Sequence, residues 1–139
     1  MNPLLRVMQV IYSCWIISSD KEGDSPGIPS GPGVFDHALH RVITERGGFP
    51  DLVRERLHFV DSTWGLTCLE VADIQRLATE AKITSDPNPA YLRTEIRVSK
   101  EVAQYLLSRL NISEDDAVKW GRAFREELVK AEHELSATA

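Results

Sequence analysis

On a wheel of about 100° per residue, the opening stretch MNPLLRVMQVIYSCWIISS separates into two unequal sides. Asn2, Arg6, Gln9, Ser13 and, just beyond, Asp20 fall on a narrow polar stripe, and Leu4, Leu5, Met8, Ile11, Tyr12 and Trp15 form a broad apolar side. This period predicts a helix. Asn2 followed by Pro3 suits its start, because Asn accepts from a first-turn N–H and Pro lacks one that would go unpaired. A buried strand is the rival reading, since Val7, Val10, Ile11, Ile16 and Ile17 are β-branched.

The pattern then lapses. Ser18 to Gly33 reads SSDKEGDSPGIPSGPG, in which eleven of sixteen residues are Gly, Pro or Ser, a composition that predicts a flexible tether. Helical periodicity returns with Phe35, Leu39, Val42 and Ile43, stopped by Gly47 and Gly48. A short second helix is expected from Pro50, using Leu52 and Val53, and LHFV at 57–60 either ends it or begins a strand. Thr67 and Glu70 have capping-box spacing, with Leu66 and Val71 as a hydrophobic staple, which predicts a helix running to about Lys82. TSDPNP at 84–89 breaks the chain. The alternation of LRTEIRV at 92–98 predicts a half-buried strand. Ser99 then caps a helix carrying Val102, Ala103, Leu106, Leu107 and Leu110. Ser113 caps a final helix whose first turn holds Glu114, Asp115 and Asp116, where the dipole favours acids, and whose inner stripe is Ala117, Trp120, Phe124, Leu128, Ala131 and Leu135.

The expected fold is mainly α, an α+β arrangement with one or two short strands. It is organised as an apolar helix at 1–17, a linker at 18–33 and one globular body at 34–139. With 139 residues and 42% hydrophobic content, such a body buries a core without disulfides or metals. Cys14 and Cys68 lie in apolar settings and read as buried thiols of a reducing compartment. The N-terminal run carries Arg6, has no small-residue cleavage site and is barely long enough to span a bilayer. A cytoplasmic protein with no membrane partner is therefore expected.

Candidate chemistry is sparse. Asp36, His37 and His40 fall within five positions, and His58 with Asp61 follow. His37, His40, His58 and Asp61 are the residue types a metal site uses, so a metal-dependent enzyme is one alternative. On the helix, however, Asp36, His37, His40 and Thr44 lie opposite the apolar face. No G-x-S-x-G elbow, HExxH, CxxC or phosphate loop occurs, and no cofactor is implied. A second alternative comes from 92–130, where a strand, a Ser-capped helix, a turn and another helix follow in order. That segment resembles the ribbon-helix-helix arrangement of small dimeric DNA-binding regulators, which implies Arg93 and Arg97 as outward ribbon residues. Twenty-one acids against sixteen bases, a net charge of −5, disfavour a nucleic-acid partner.

The leading expectation is a small non-enzymatic protein-binding module, an adaptor, inhibitor or chaperone-like protein. Its partner would be another protein or a second copy, giving a homo-oligomer. Leu4, Met8, Ile11 and Trp15 of the tethered helix and loop residue Trp64 are the expected anchors, Trp being favoured at binding hot spots.

Overall fold

The computed structural model describes residues 2–19, 27–63, 65–85 and 93–137. They form a mostly helical molecule of six helices and a few short strands. In chain order these are α1 (Leu4–Ile17), β1 (Gly27–Pro29), α2 (Val34–Thr44), α3 (Asp51–Arg54), β2 (Phe59–Ser62), β3 (Gly65–Cys68), α4 (Val71–Glu80), β4 (Arg93–Glu95), α5 (Lys100–Arg109) and α6 (Glu114–Ala137). None of these helices is long and apolar enough to cross a membrane.

The first helix starts as its sequence indicates, with the Asn2 side chain accepting the Leu4 N–H at 2.9 Å. Its position departs from the expectation. Except for Gln9, every residue from Val7 to Ile17 is buried, with Val7, Met8, Val10, Ile11 and Cys14 fully so. The helix packs against α3, α4, α5 and α6. The N-terminal helix at 1–17 thus packs into the body at 34–139, with α1 at its centre. A helix apolar on nearly every side is stable only where neighbours cover every side.

The closest of these contacts is made at Gly121 of α6. A Cβ placed there would lie 2.0 Å from the Cys14 carbonyl oxygen and 2.7 Å from the Ser18 hydroxyl. Only a residue without a side chain lets the two backbones meet so closely. One turn on, Arg125 donates to the carbonyl of Trp15 and to the Ser18 hydroxyl at 2.7 Å, and its guanidinium lies 3.9 Å from the centre of the Trp15 ring. The buried end of α1 thus has a partner for one of the carbonyls that every helix leaves over.

The helix α2 lies along α6 on the other side. Phe35 and Phe49 both meet Phe124 edge to face, with centroids 5.3 and 5.7 Å apart, and Tyr12 approaches Phe35 at 5.9 Å. Phe49 holds a left-handed φ of 64°, uncommon for a bulky residue, and its ring is 1% exposed. Burial of that ring offsets the backbone strain. At the seam Glu127, 4% exposed, faces Arg46 at 3.5 Å, Lys130 at 3.7 Å and Arg41 at 3.9 Å. Arg41 also binds Glu134 and holds that carboxyl below its usual range.

The small strands make two antiparallel pairs. In β1 with β4, Gly27, Ile28 and Pro29 face Glu95, Thr94 and Arg93; in β2 with β3, Phe59 faces Cys68 and Ser62 faces Gly65. The first pair corrects the expected linker at 18–33 for Gly27–Pro29, where Ile28 is 1% exposed in the core; residues 20–26 lie outside the described residues. Ser99 caps α5 through the Val102 N–H, and Ser113 caps α6 through the Asp116 N–H, as their spacing predicts. The capping box at Thr67 is not formed: Thr67 is in β3, its hydroxyl facing Ser62 at 3.2 Å, and α4 begins at Val71.

Gly121→Ala is expected to force α1 and α6 apart and to cost about 2–3 kcal/mol or more, as overpacking of a tight contact does. Urea unfolding of the two proteins checks this, and an unchanged midpoint would show that the approach tolerates a methyl group.

Candidate functional site

The histidine and carboxylate candidates are distributed differently from the expectation. Asp36 is buried, and its carboxylate accepts the backbone N–H of Cys68 at 2.7 Å. The expectation that Asp36 shares a solvated face with the histidines is thus corrected, because β3 covers that part of α2. His37 and His40 are half-buried, and the His40 ring meets Phe59 edge to face at 5.0 Å. His58 and Asp61 are exposed. Among the described residues no three His, Cys, Asp or Glu side chains converge to hold a metal ion. The hairpin does fold back towards α2, but it brings an aromatic ring to His40 instead of a ligand.

The hairpin base holds a cluster that spacing along the chain did not reveal. Glu70 accepts the His58 N–H at 2.7 Å and lies 2.8 Å from the His58 Nδ1, with the Cys68 Sγ 3.7 Å away. Thiol, carboxylate and imidazole are therefore adjacent, in an order unsuited to nucleophilic catalysis. A reactive thiol needs a base or a positive charge beside it. Here burial, with the nearby charges of Glu70 and Asp36, pushes the Cys68 thiol up to about 12. Burial raises Cys14 to about 12 as well. The cluster locks the hairpin to α2 and α4.

The segment that resembles a ribbon-helix-helix makes its strand pairing within its own chain. β4 pairs with β1 of the same chain, and beyond it Ile96 bridges to Thr84, so the ribbon shared by two copies is replaced by pairing within one chain. Arg93 binds Glu132 at 2.9 Å and the Gly27 carbonyl at 3.3 Å. Arg97 stays exposed. Leu92, the first residue of the expected strand, and Trp64 lie outside the described residues. Of the other expected anchors, Met8, Ile11 and Trp15 are buried against their own chain, and Leu4 is half-buried at the rim. The apolar face of α1 is spent on the core, which corrects its expected use for docking.

The surface with a distinct character is at the opposite end of α1, where the polar stripe emerges. Leu5 and Arg6 of α1, Leu52 of α3, and Leu106, Arg109 and Leu110 at the end of α5 line a hollow of about 410 Å³. A second hollow of about 220 Å³ adjoins it through Arg6 and Leu52 and is bordered by Arg56. All four leucines are half-buried, and the three arginines are exposed. Among the described residues no Asp or Glu lines either hollow. Among the described residues Arg6, Arg56 and Arg109 make no ion pair; Arg109 lies 5.8 Å from the centre of the exposed Tyr105 ring. Charge-pattern reading missed this groove because its arginines are 50 and 53 residues apart in turn, and only the fold brings them together.

Comparison with protein-family models, with curated proteins and with solved structures returned no match.

Two outcomes follow from the hairpin cluster. Asp36→Ala leaves the Cys68 N–H buried without an acceptor and is expected to cost about 1–3 kcal/mol, measurable by thermal or urea unfolding. The thiols, raised from 9.0 to about 12 in the folded chain, make the sign of the pH dependence explicit. Unfolded thiols release their protons first, so this contribution is complete below about pH 9 and is lost as pH rises towards 12. The urea midpoint should fall over that window and fall less in Cys68→Ala; equal falls in both proteins would remove Cys68 as a source.

Proposed function

We propose that the protein is a non-enzymatic protein-binding module that engages its partner through the groove between α1, α3 and α5. The observation that carries this reading is the combination of a leucine floor with three arginines that have no carboxylate partner among the described residues. Exposed apolar surface beside charge is costly to leave idle and is what a partner's side chains replace. Arginine at a rim supplies directional hydrogen bonds to whatever docks there. The neighbouring outer face of α5 adds Tyr105, 60% exposed, and Val102, 41% exposed. The thiol cluster supports no competing chemistry, since its sulfur is held protonated.

The test is retention of a native partner. Purified gently from its source, the full chain should carry a protein at fixed stoichiometry, and Leu106→Asp with Arg109→Glu should release it while the melting temperature stays close to that of the parent. Arg109 is exposed and Leu106 half-buried on the groove wall, so the fold is expected to tolerate the pair. Retention of the partner by the double variant, or co-purification of nucleic acid alone, would overturn the reading.

A further inference from the structure

We infer that the occupant of the groove is an acidic amphipathic helix of a partner protein. This rests on the protein-binding reading above and specifies its chemistry. The surroundings of the groove decide between a helix and an extended strand. Its lining comes from α1, α3 and α5 and from Asn2, Pro3, Arg56 and Asn111 at their ends, and among the described residues none of the lining belongs to a strand. An extended peptide therefore has no sheet edge to join, and side chains must carry the recognition. The outer face of α5 presents Val102, Tyr105 and Arg109 at successive turns, beside Leu106 in the wall. A helix laid along that face meets a matching repeat with apolar residues at i, i+3 or i+4, and i+7.

The charge of the occupant follows from complementarity. On a chain with a net charge of −5, this groove collects Arg6, Arg56 and Arg109 and, among the described residues, no acid. A basic helix would meet three uncompensated positive charges, whereas carboxylates flanking an apolar stripe pair with each of them. A nucleic acid would satisfy the arginines but leave the leucine floor unused, and the acidic remainder of the surface repels its backbone.

Fluorescence anisotropy with the full chain tests this. The probe is a labelled peptide of ~15 residues, long enough for a helix of several turns, with Leu along one face and Glu flanking it; counterparts carry Gln or Lys in place of Glu, and a short DNA duplex is the competitor. The Glu peptide should bind, the Gln form more weakly and the Lys form not at all. Replacing Arg6, Arg56 and Arg109 with Gln should weaken the Glu peptide roughly tenfold, the combined effect of three exposed pairs. Absence of Glu-peptide binding, equal binding of the Gln peptide, or indifference to the arginine replacements would overturn the acidic-helix inference and leave the protein-binding reading to its own test. Displacement of the peptide by duplex DNA would overturn both.

Discussion

The packing of this molecule depends on one backbone-to-backbone approach, that of α6 to the carbonyl of Cys14 across Gly121. α1 is too apolar to lie on a surface and must be enclosed. Enclosure creates a second problem, because Ser18 at its end is fully buried and terminal carbonyls in a core need partners. α6 answers both in consecutive turns. Gly121 permits contact, and Arg125 reaches over to bind the Trp15 carbonyl while its flat guanidinium covers the indole. Arginine suits the position because its stem packs, its plane stacks and its fork still donates.

That arrangement explains which surface is left for the proposed docking. Since α1 is enclosed towards its C-terminus, its large apolar side chains are unavailable to a partner. Its polar stripe marks the end that emerges: Ser13 is buried, Gln9 is half-buried and Arg6 is exposed. The groove opens where Leu5 and Arg6 leave the core and the short α3 and the end of α5 do not close over them. The site and the core are thus two ends of one helix.

Much of the helical framework was legible in the chain. The Asn2 start, the Ser99 and Ser113 caps and the inner stripe of α6 each rest on local chemistry that tertiary contacts did not override. The failures share a cause in long-range pairing. Thr67 and Glu70 have capping-box spacing, but pairing of β3 with β2 takes Thr67 into a strand and turns Glu70 towards His58, which no local pattern encodes. Gly27–Pro29 lies in a stretch composed like a tether, and the single apolar side chain Ile28 is enough to anchor it once β4 supplies an edge. Asp36 reads as a surface acid on an amphipathic helix, and Glu127 falls outside the apolar stripe of α6. Each is buried by a partner distant in sequence, the Cys68 N–H in one case and Arg41 with Arg46 in the other. Pairing of this kind was the signal sequence reasoning lacked for the groove also.

The groove's position on an acidic protein also limits how it works. At long range the net charge of −5 gives an acidic partner no attraction, and salt screens such fields beyond ~8 Å. In the proposed complex the three arginines therefore act at contact distance, where they hold and select more than they steer. Exposed ion pairs are individually worth about 0–1 kcal/mol, too little to hold a partner alone. On the proposed reading affinity comes from apolar side chains entering the space above Leu5, Leu52, Leu106 and Leu110, and the arginines discriminate among helices that fit. Removing the charges should accordingly loosen specificity before it abolishes binding, whereas a polar group on the leucine floor removes the contact on which the rest is built.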